Sequence, residues 1–523
     1  MGHRVTVWDD RLSAGELAAL APGRPEDLDR TPDVLIVGGG AIGLSAAVFC
    51  LRAGLGRVVL IERAERLAPG ASSGNGGAIA PDMHLLTDGP EFVAFGRRSL
   101  ELYRELDAEW GGAIGTWETR WLDIRPASTV PFGPQPASAS SAAPLPGQSL
   151  SGTPLSRRPL RDGPPSDGPL LGGPLAGPRF PDGPLADRPL PGGPRAEPPF
   201  PDGPLAGPPF SDRPLPRGSS PDGPPSRRSL PEEPSPDELL RDRPPSEASR
   251  PPGPVPDGSH FDDPQPDRSQ ADGPRFDGPQ RGGLWLLDAA AVRELEPDVV
   301  PPDGAIAVLA ERQLAVNPLR LAAALAPRAG QVATGVAMLG VTMRGDRVAA
   351  VHTNVGDFSP GALILATGLV PAPWDVGVPQ RWVKGHMLAV APGPWRLGSV
   401  LAGPFGGGSP LPDGTIVCGG TFDEGDQTLD VYPEIADPMA AALATILPAA
   451  AGATISRRWC CFRPYIEGRQ PVIDRLPGVS NGWFAGGHFT TGIMMAPATG
   501  AALAAWIGSG TAPPPVRSFT LPR

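Results

Sequence analysis

The strongest constraint on the fold is a glycine-rich turn between two apolar strands. Residues 33–37 form a run of strand length, residues 38–43 read Gly-Gly-Gly-Ala-Ile-Gly, and 44–53 is rich in the helix formers Ala and Leu. A second apolar strand, 57–61, ends at Glu62, about 20 residues beyond the last glycine of the turn. Such glycines let a helix N-terminus approach a pyrophosphate, and the acidic residue accepts hydrogen bonds from a ribose. The pattern therefore predicts a dinucleotide site.

A second glycine-rich loop helps to identify the dinucleotide. Enzymes that use NAD usually continue with further parallel βα units, whereas this chain runs into Pro-Gly-Ala-Ser-Ser-Gly-Asn-Gly-Gly at 69–77. Small residues let a backbone lie against a large flat ligand, although a flexible surface loop would have a similar composition. We expect the cofactor to be FAD.

A Pro- and Gly-rich segment interrupts the chain. Residues 127–282 contain 41 Pro and 20 Gly but no Ile, Trp or Tyr. Such a segment cannot bury enough apolar surface to offset the entropy of ordering. We predict a long disordered insertion of low complexity within one folded unit. The alternative is a Pro-rich docking segment on a flavin fold that has lost activity.

Charge and cysteine content exclude several classes of protein. The net charge is −11 and the single Lys, Lys384, stands among Arg residues that form no dense basic cluster, so nucleic acid is not an expected partner. The four Cys and six His show no ligand spacing, so we expect no metal site. The longest apolar run, about 494–507, is shorter than a bilayer span, and residues 1–32 contain nothing that must pack. A cytoplasmic protein is expected.

Hydrophobic periodicity predicts further elements on both sides of the insertion. Helices are predicted at 92–110, 289–295, 319–325, 438–447 and 492–507. Strands are predicted at 117–124, 283–287, within 332–353, and at 362–366, 381–390, 415–419 and 482–485. We expect parallel βαβ structure at both chain ends and an antiparallel layer between them.

Four stretches of this chain resemble the FAD-dependent amine oxidoreductases of the D-amino-acid oxidase type. They are closest to glycine oxidase and similar to monomeric sarcosine oxidase, and the resemblance covers about 33–126 and 283–510. The stretches are 34–62, 72–77, Ala366-Thr-Gly368, and the run from Trp459-Cys-Cys-Phe-Arg-Pro464 through Ala485-Gly-Gly-His-Phe-Thr-Thr-Gly to Gly500. The C-terminal run is the most specific of them.

The resemblance implies an α/β fold with two domains. A Rossmann-like FAD-binding domain would be assembled from separated segments, beside an α+β substrate domain built on a large antiparallel sheet. The implied FAD-binding segments are 33–110, 317–372 and 459–510. The implied substrate-domain segments are 111–126, 283–316 and 373–458, with an N-terminal extension at 1–32 and a tail at 511–523.

The resemblance also assigns the residues of a site. Arg463 would grip the substrate carboxylate, although an ion pair with Glu467 or Asp474 is the alternative. His488 would line the flavin or would be an ordinary packed histidine. The residues implied to hold FAD are Gly38, Gly40, Ala41, Ile42, Gly43, Glu62, Arg63, Ser73, Asn75, Gly76, Met338, Gly368, Gly487, His488, Gly492 and Ile493.

The implied reaction is oxidation of the C–N bond of a small amino acid or N-substituted amino acid of the glycine, sarcosine or D-amino-acid type. Oxygen would accept the electrons; the alternative is a dehydrogenase subunit, of D-amino-acid, hydroxyproline or opine type, that passes them to a carrier. A partner subunit or homo-oligomer stays open. Cys461 falls where sarcosine oxidase attaches flavin covalently. Thr490 and Thr491 stand where glycine oxidase has an Arg, and Gly407 or Gly408 replaces a substrate-side Tyr.

Overall fold

The described part of the chain comprises residues 5–129, 280–281, 283–468 and 471–521 of a computed structural model, and all of it lies in one compact unit. The predicted insertion, apart from 127–129, 280 and 281, lies outside the described residues. Eight helices are described: α1 Ala14–Leu20, α2 Ala41–Arg52, α3 Pro90–Glu109, α4 Ala289–Leu295, α5 Pro318–Leu325, α6 Pro433–Ala436, α7 Pro438–Ile446 and α8 Gly492–Ser509.

The described strands fall into parallel and antiparallel groups. Their bounds are β1 Val34–Val37, β2 Val58–Glu62, β3 Ala78–Ile79, β4 Trp117–Pro126, β5 Gln280–Arg281, β6 Leu284–Leu287, β7 Ala305–Ala315, β8 Gln331–Thr334 and β9 Met338–Arg344. The chain continues with β10 Arg347–Thr353, β11 Ala362–Gly368, β12 Gln380–Val390, β13 Ser399–Ala402, β14 Ser409–Pro410, β15 Ile416–Gly419, β16 Ile455–Ile466, β17 Val472–Arg475 and β18 Gly482–Gly486.

The first sheet is parallel except at one edge and has the order β17-β18-β11-β1-β2-β8. Strand β1 is central: Val34 pairs with Ala362 on one side and with Val58 on the other. Both strands β1 and β2 are buried along their whole length, as expected for a parallel sheet covered on both faces. The predicted strand-turn-helix-strand unit is thereby confirmed, and the Gly38 turn leaves the carboxyl end of a central strand.

The second part of the fold contains two further sheets. One is antiparallel, with the order β14-β15-β12-β16, and in it Gln380 pairs with Ile466 and Val390 with Ile455. The other has the order β13-β4-β7-β6-β5. Residues 459–466 therefore lie in the antiparallel sheet, and the segment bounds implied for the FAD-binding domain stay a prediction.

The N-terminal extension is part of the hydrophobic core. Val7, Trp8, Leu20 and Leu28 are buried, and Trp8 is among the largest fully buried side chains of the described residues. A capping box at Ser13, whose side chain and backbone exchange hydrogen bonds with Glu16, starts helix α1. The expectation that nothing in 1–32 must pack is therefore wrong.

Helix α8 is longer than the apolar run that the sequence suggested. It has 18 residues and a mean hydropathy of 1.2, so by length and composition alone it passes the test for a membrane span, and the expectation that this run is too short is wrong. In the folded protein, 67% of these 18 residues are buried. The helix packs against α2 and α3 in the same core cluster that contains Trp8.

Candidate active site

The first glycine turn is shaped by close backbone contacts. Gly38 has φ +115°, and a Cβ there would overlap the carbonyl oxygen of Ala366 on the neighbouring strand. A Cβ at Gly43 would overlap the carbonyl oxygen of Gly38 itself. Gly38 is therefore required where the turn passes the neighbouring strand, and Gly43 where α2 packs onto the turn, as the first and third glycines are in dinucleotide-binding turns.

Glu62 stabilises this turn through hydrogen bonds to its backbone. Its side chain is 7% exposed, and its carboxylate accepts hydrogen bonds from the backbone N–H groups of Gly39, at 2.8 Å, and Ala64, at 2.9 Å. Each carboxylate oxygen accepts one of these bonds, so a lone pair remains on each for a ribose hydroxyl. Arg63, the next residue, is exposed.

The second glycine-rich loop runs from the start of α2 to the antiparallel sheet. At one end, Ser72 Oγ accepts a hydrogen bond from the Ala41 N–H at 3.1 Å. Farther along, the Trp459 indole donates to the Gly74 carbonyl at 3.2 Å, and a Cβ at Gly74 would overlap Cys461. Ser73 is buried and Asn75 half-buried in the same loop. The loop therefore connects the N-terminus of α2 to the antiparallel sheet, with Cys461 of β16 directly against it.

The Gly-Gly-His turn after β18 lies beside the end of β11. The Gly487 N–H donates to the Gly368 carbonyl at 2.8 Å, which joins two of the motifs that carry the resemblance. Beyond the turn, the Ile493 carbonyl accepts the Tyr103 hydroxyl at 2.7 Å and fixes the start of α8.

His488 is a buried, neutral histidine. Its Nε2 lies 3.1 Å from Thr499 Oγ1, and burial lowers the pKa of His488 to about 3. One ring nitrogen is therefore paired within the protein, and the backbone of His488 belongs to the turn beside Gly368.

Burial of His488 predicts a pH-dependent loss of stability. An unfolded His titrates near about 6.5, so below that pH the unfolded chain binds a proton that the folded chain, with a pKa of about 3, does not. Stability is therefore present above the unfolded pKa and is lost as pH falls, by about 2 kcal/mol between about pH 7 and about pH 5. In His488→Gln this difference should disappear from denaturant unfolding curves. An unchanged pH dependence would contradict the assignment of the effect to His488.

At three half-buried glycines a Cβ would meet only one side-chain atom, and none closer than 3.2 Å. The nearest atom to a Cβ at Gly40 is Ser72 Oγ at 3.2 Å, at Gly76 it is Met387 Cε at 3.6 Å, and at Gly492 it is His488 Cβ at 3.5 Å. Internal packing therefore does not account for these glycines as it does for Gly38 and Gly43. Exposed backbone on the first turn, the second loop and the C-terminal turn suits a long, flat cofactor lying against all three, so the residues fit FAD.

Arg463 is buried without a carboxylate partner among the described residues. It is 7% exposed, and its Nη1 donates to the Thr421 carbonyl at 2.7 Å. Its guanidinium packs against Gly385 and Gly420, where any Cβ would overlap it. The alternative pairing with Glu467 is not found, since Glu467 pairs with Arg381. A buried guanidinium with donors left over is suited to an anionic ligand.

An aromatic cluster that the sequence analysis did not identify lies beside Arg463. The Phe422 ring centre lies 4.7 Å from the Arg463 Cζ, and Phe489 contacts both Phe422 and Tyr465. Phe489 has φ +48°, a left-handed conformation that is unfavourable for an aromatic residue, and its N–H donates to the Pro464 carbonyl at 3.0 Å. Such an outlier is typical of a functional site.

Two buried polar pairs hold the loop that carries Phe422 against the sheet. Lys384, fully buried on β12, donates to Asp426 at 2.6 Å, and this hydrogen bond lowers the pKa of Asp426 to about 2. On the same face of β12, His386 Nδ1 lies 2.7 Å from Asp423. Because Asp423 follows Phe422 directly, these pairs position the residues that contact Arg463. A lone Lys and a lone His in the sequence gave no indication of this arrangement.

The remaining predicted residues lie near these turns. Ala41 and Ile42 form the first turn of α2, and Met338 begins β9, two residues after Val336, whose N–H donates to the Glu62 carbonyl at 2.9 Å. Among the residues that the structure describes, no group of three or more His, Cys, Asp or Glu could hold a metal ion.

Comparison with known proteins agrees with this geometry. Residues 33–140 and 265–506 match the family model described as "DAO: FAD dependent oxidoreductase". The chain is 32% identical over 229 residues to the hydrogen cyanide synthase subunit HcnC of Pseudomonas protegens, covering 42% of this chain and 54% of that protein. It is 35% identical over 157 residues to the glycine oxidase of Bacillus subtilis, covering 29% and 42%. The chain thus spans about half the length of the curated relatives it matches.

Solved structures confirm the fold. The glycine oxidase of Geobacillus kaustophilus aligns with a TM-score of 0.59 at 18% identity, covering 94% of this chain and 99% of that one. At this identity the likeness establishes the α/β architecture with its two kinds of sheet and nothing about substrate.

Proposed function

The chain belongs to the DAO family of FAD-dependent oxidoreductases, and on that premise we propose that it oxidises the C–N bond of a small amino acid or N-substituted amino acid. The observation that carries the proposal is Arg463, a buried cation without a carboxylate partner among the described residues, on a sheet that also contacts the second glycine loop. Similarity to glycine oxidases supports a substrate with one carboxylate and one amine.

The proposed cofactor sites follow the three half-buried glycines Gly40, Gly76 and Gly492. The Gly38 turn and Glu62 would hold the ADP half, the loop at 69–77 would lie along the flavin, and residues 487–493 would close the far side. When bound there, FAD accepts a hydride from the substrate carbon that carries the amine.

The chain's own residues bind and orient the substrate. Arg463 has a planar fork of donors that matches a carboxylate, and Gly385 and Gly420 leave room for it beside the sheet. Phe422, Tyr465 and Phe489 supply an aromatic cluster on the other side, of which Phe489 is buried and Phe422 is 39% exposed. Hydride loss needs a deprotonated amine held in line rather than a dedicated acid–base pair, so orientation is the main contribution.

A second candidate is a dehydrogenase subunit that passes electrons to a carrier or partner protein. It is favoured by the similarity to a protein named as a subunit, the HcnC of Pseudomonas protegens. Both candidates share the substrate step, and they differ in what reoxidises the flavin.

One pair of assays tests the function and separates the two candidates. Purified yellow protein should bleach when mixed anaerobically with one of glycine, sarcosine, D-alanine or D-proline. If oxygen is the electron acceptor, admitting air restores the yellow colour and yields about one hydrogen peroxide per substrate oxidised. If a carrier is the acceptor, air does not restore the colour, whereas an artificial electron-accepting dye added under argon does. Absence of bleaching with every amino acid tested would contradict both.

A further inference from the structure

We propose that residues 5–20 form a clasp that fixes the glycine-rich loop 69–77 for FAD binding, with Trp8 as its positioning residue. This inference rests on the proposed placement of FAD along that loop. The match to the family model begins at residue 33, so the clasp lies outside the part of the chain that defines the family.

Trp8 joins the loop to helix α5. Its indole N–H donates to the Asn75 carbonyl at 2.8 Å, and its own carbonyl accepts a hydrogen bond from Asn317 Nδ2 at 3.2 Å. Asn317 in turn caps α5 through the N–H groups of Leu319 and Arg320. Trp8 is 1% exposed, so its indole N–H has no access to water and would be costly to leave unpaired.

The Trp8 ring also defines the path of the loop. A Cβ at Gly77 would lie 3.2 and 3.3 Å from two ring carbons, so the ring packs on the backbone where the loop ends. Gly77 has φ +79°, and its N–H donates to the Asn75 side chain at 2.6 Å. Asn75 and Gly76, both predicted flavin contacts, therefore lie on the short turn that Trp8 covers. The position of their backbone depends on a residue about 70 positions earlier in the chain.

Polar contacts hold the rest of the clasp to three other segments. Asp9 pairs with Arg66, just before the loop, at 2.8 Å, with both side chains largely buried. Arg11 pairs with Asp413 and donates to Thr415 on the antiparallel hairpin, and Glu16 pairs with Arg320 on α5. The backbone N–H of Leu67 donates to the Leu20 carbonyl at 2.7 Å. The clasp thus connects the loop to both the helical layer and the antiparallel sheet.

The test measures the binding of FAD to the full-chain apoprotein, detected by the quenching of flavin fluorescence. Trp8→Phe keeps the aromatic packing and removes the hydrogen bond to Asn75. It should raise the Kd for FAD about tenfold, near the upper limit for one buried hydrogen bond. Saturating FAD should restore kcat, with KM for the amino acid unchanged. Asp9→Asn, which weakens the pair with Arg66, should raise the Kd for FAD by a smaller factor than Trp8→Phe does. It replaces Trp8→Phe in the test if that variant does not fold.

Trp506→Phe is the matched control, because Trp506 is 3% exposed in the same core cluster but lies at the far end of α8. It should lower the unfolding temperature of the apoprotein as Trp8→Phe does, while the Kd for FAD stays at the wild-type value. Equal Kd values for wild type and Trp8→Phe, or an equal weakening in Trp506→Phe, would overturn the clasp. Failure of the proposed function would be seen separately, because no amino acid would then bleach the wild-type protein. The Kd values for FAD would still test the clasp.

Discussion

Replacing Arg463 with Ala should raise KM for the amino-acid substrate at least about 100-fold while FAD stays bound. Two charge-assisted hydrogen bonds to a carboxylate contribute about 1.5–3 kcal/mol each, and about 1.4 kcal/mol corresponds to a factor of ten. The guanidinium contacts Gly385, Gly420 and Phe422 but not Gly40, Gly76 or Gly492. Flavin content should therefore match that of wild type, and steady-state kinetics on the bleaching substrate provides the measurement.

Two further variants make this prediction specific. Arg381→Ala removes a neighbouring arginine that stacks over Tyr465 and pairs with Glu424 and Glu467 at the surface. Because exposed ion pairs contribute little, its KM should change less than about threefold. Arg463→Lys keeps the charge but loses the planar fork, so its KM should fall between wild type and Arg463→Ala. Wild-type kinetics in Arg463→Ala would contradict the assigned carboxylate site.

Local patterns in the sequence were sufficient for much of the parallel part of the fold. Helix α4 was predicted at 289–295 and is found there, because Asp288 caps it through the N–H groups of Ala290 and Ala291. The strands on either side of the unit formed by the Gly38 turn and α2 were predicted within one residue, since apolar runs of four or five residues bounded by Gly favour buried strands. Such elements are defined by residues close together in the chain.

Two long strands were not predicted, because their patterns are not local. Strand β7 is buried at most positions without alternating in and out, so no period of two is visible in its sequence. Strand β16 contains two adjacent arginines, two adjacent cysteines and Pro464, a composition that does not indicate a strand. Both are stabilised by pairing with distant strands, which the sequence alone does not specify.

The candidate site could be predicted as a set of residues but not as an arrangement. The resemblance pointed to Arg463, but not to the loop residues Thr421 and Phe422, which hold its guanidinium. Thr421 is 42 positions away in the chain. That loop is held by Lys384 and His386, which are isolated polar residues in the sequence. Trp8 is a similar case: its partners Asn75 and Asn317 are 67 and 309 positions distant. Long-range polar contacts of this kind have no periodicity to detect.

The second large effect is expected from Gly43→Ala, which should abolish FAD binding. A Cβ at this position would overlap the Gly38 carbonyl and approach the Ala366 side chain to 3.3 Å. Because the overlapped atom is backbone in a buried turn, α2 must move away from the sheet, and its N-terminus moves with it. A helix N-terminus displaced from the phosphates loses the hydrogen bonds and the dipole that hold them. The purified variant should be colourless, with a Kd for FAD raised more than about 100-fold.

Gly340→Ala is the matched control, since it adds the same methyl group on strand β9 where no atom lies within 4 Å. It should bind FAD like wild type and unfold at a similar temperature, because Ala is the better strand residue and meets no obstacle. Circular dichroism of Gly43→Ala should keep most of the wild-type helix content, since the change displaces α2 rather than unfolding it. A yellow Gly43→Ala protein with wild-type affinity for FAD would show that the cofactor phosphates do not lie at this turn.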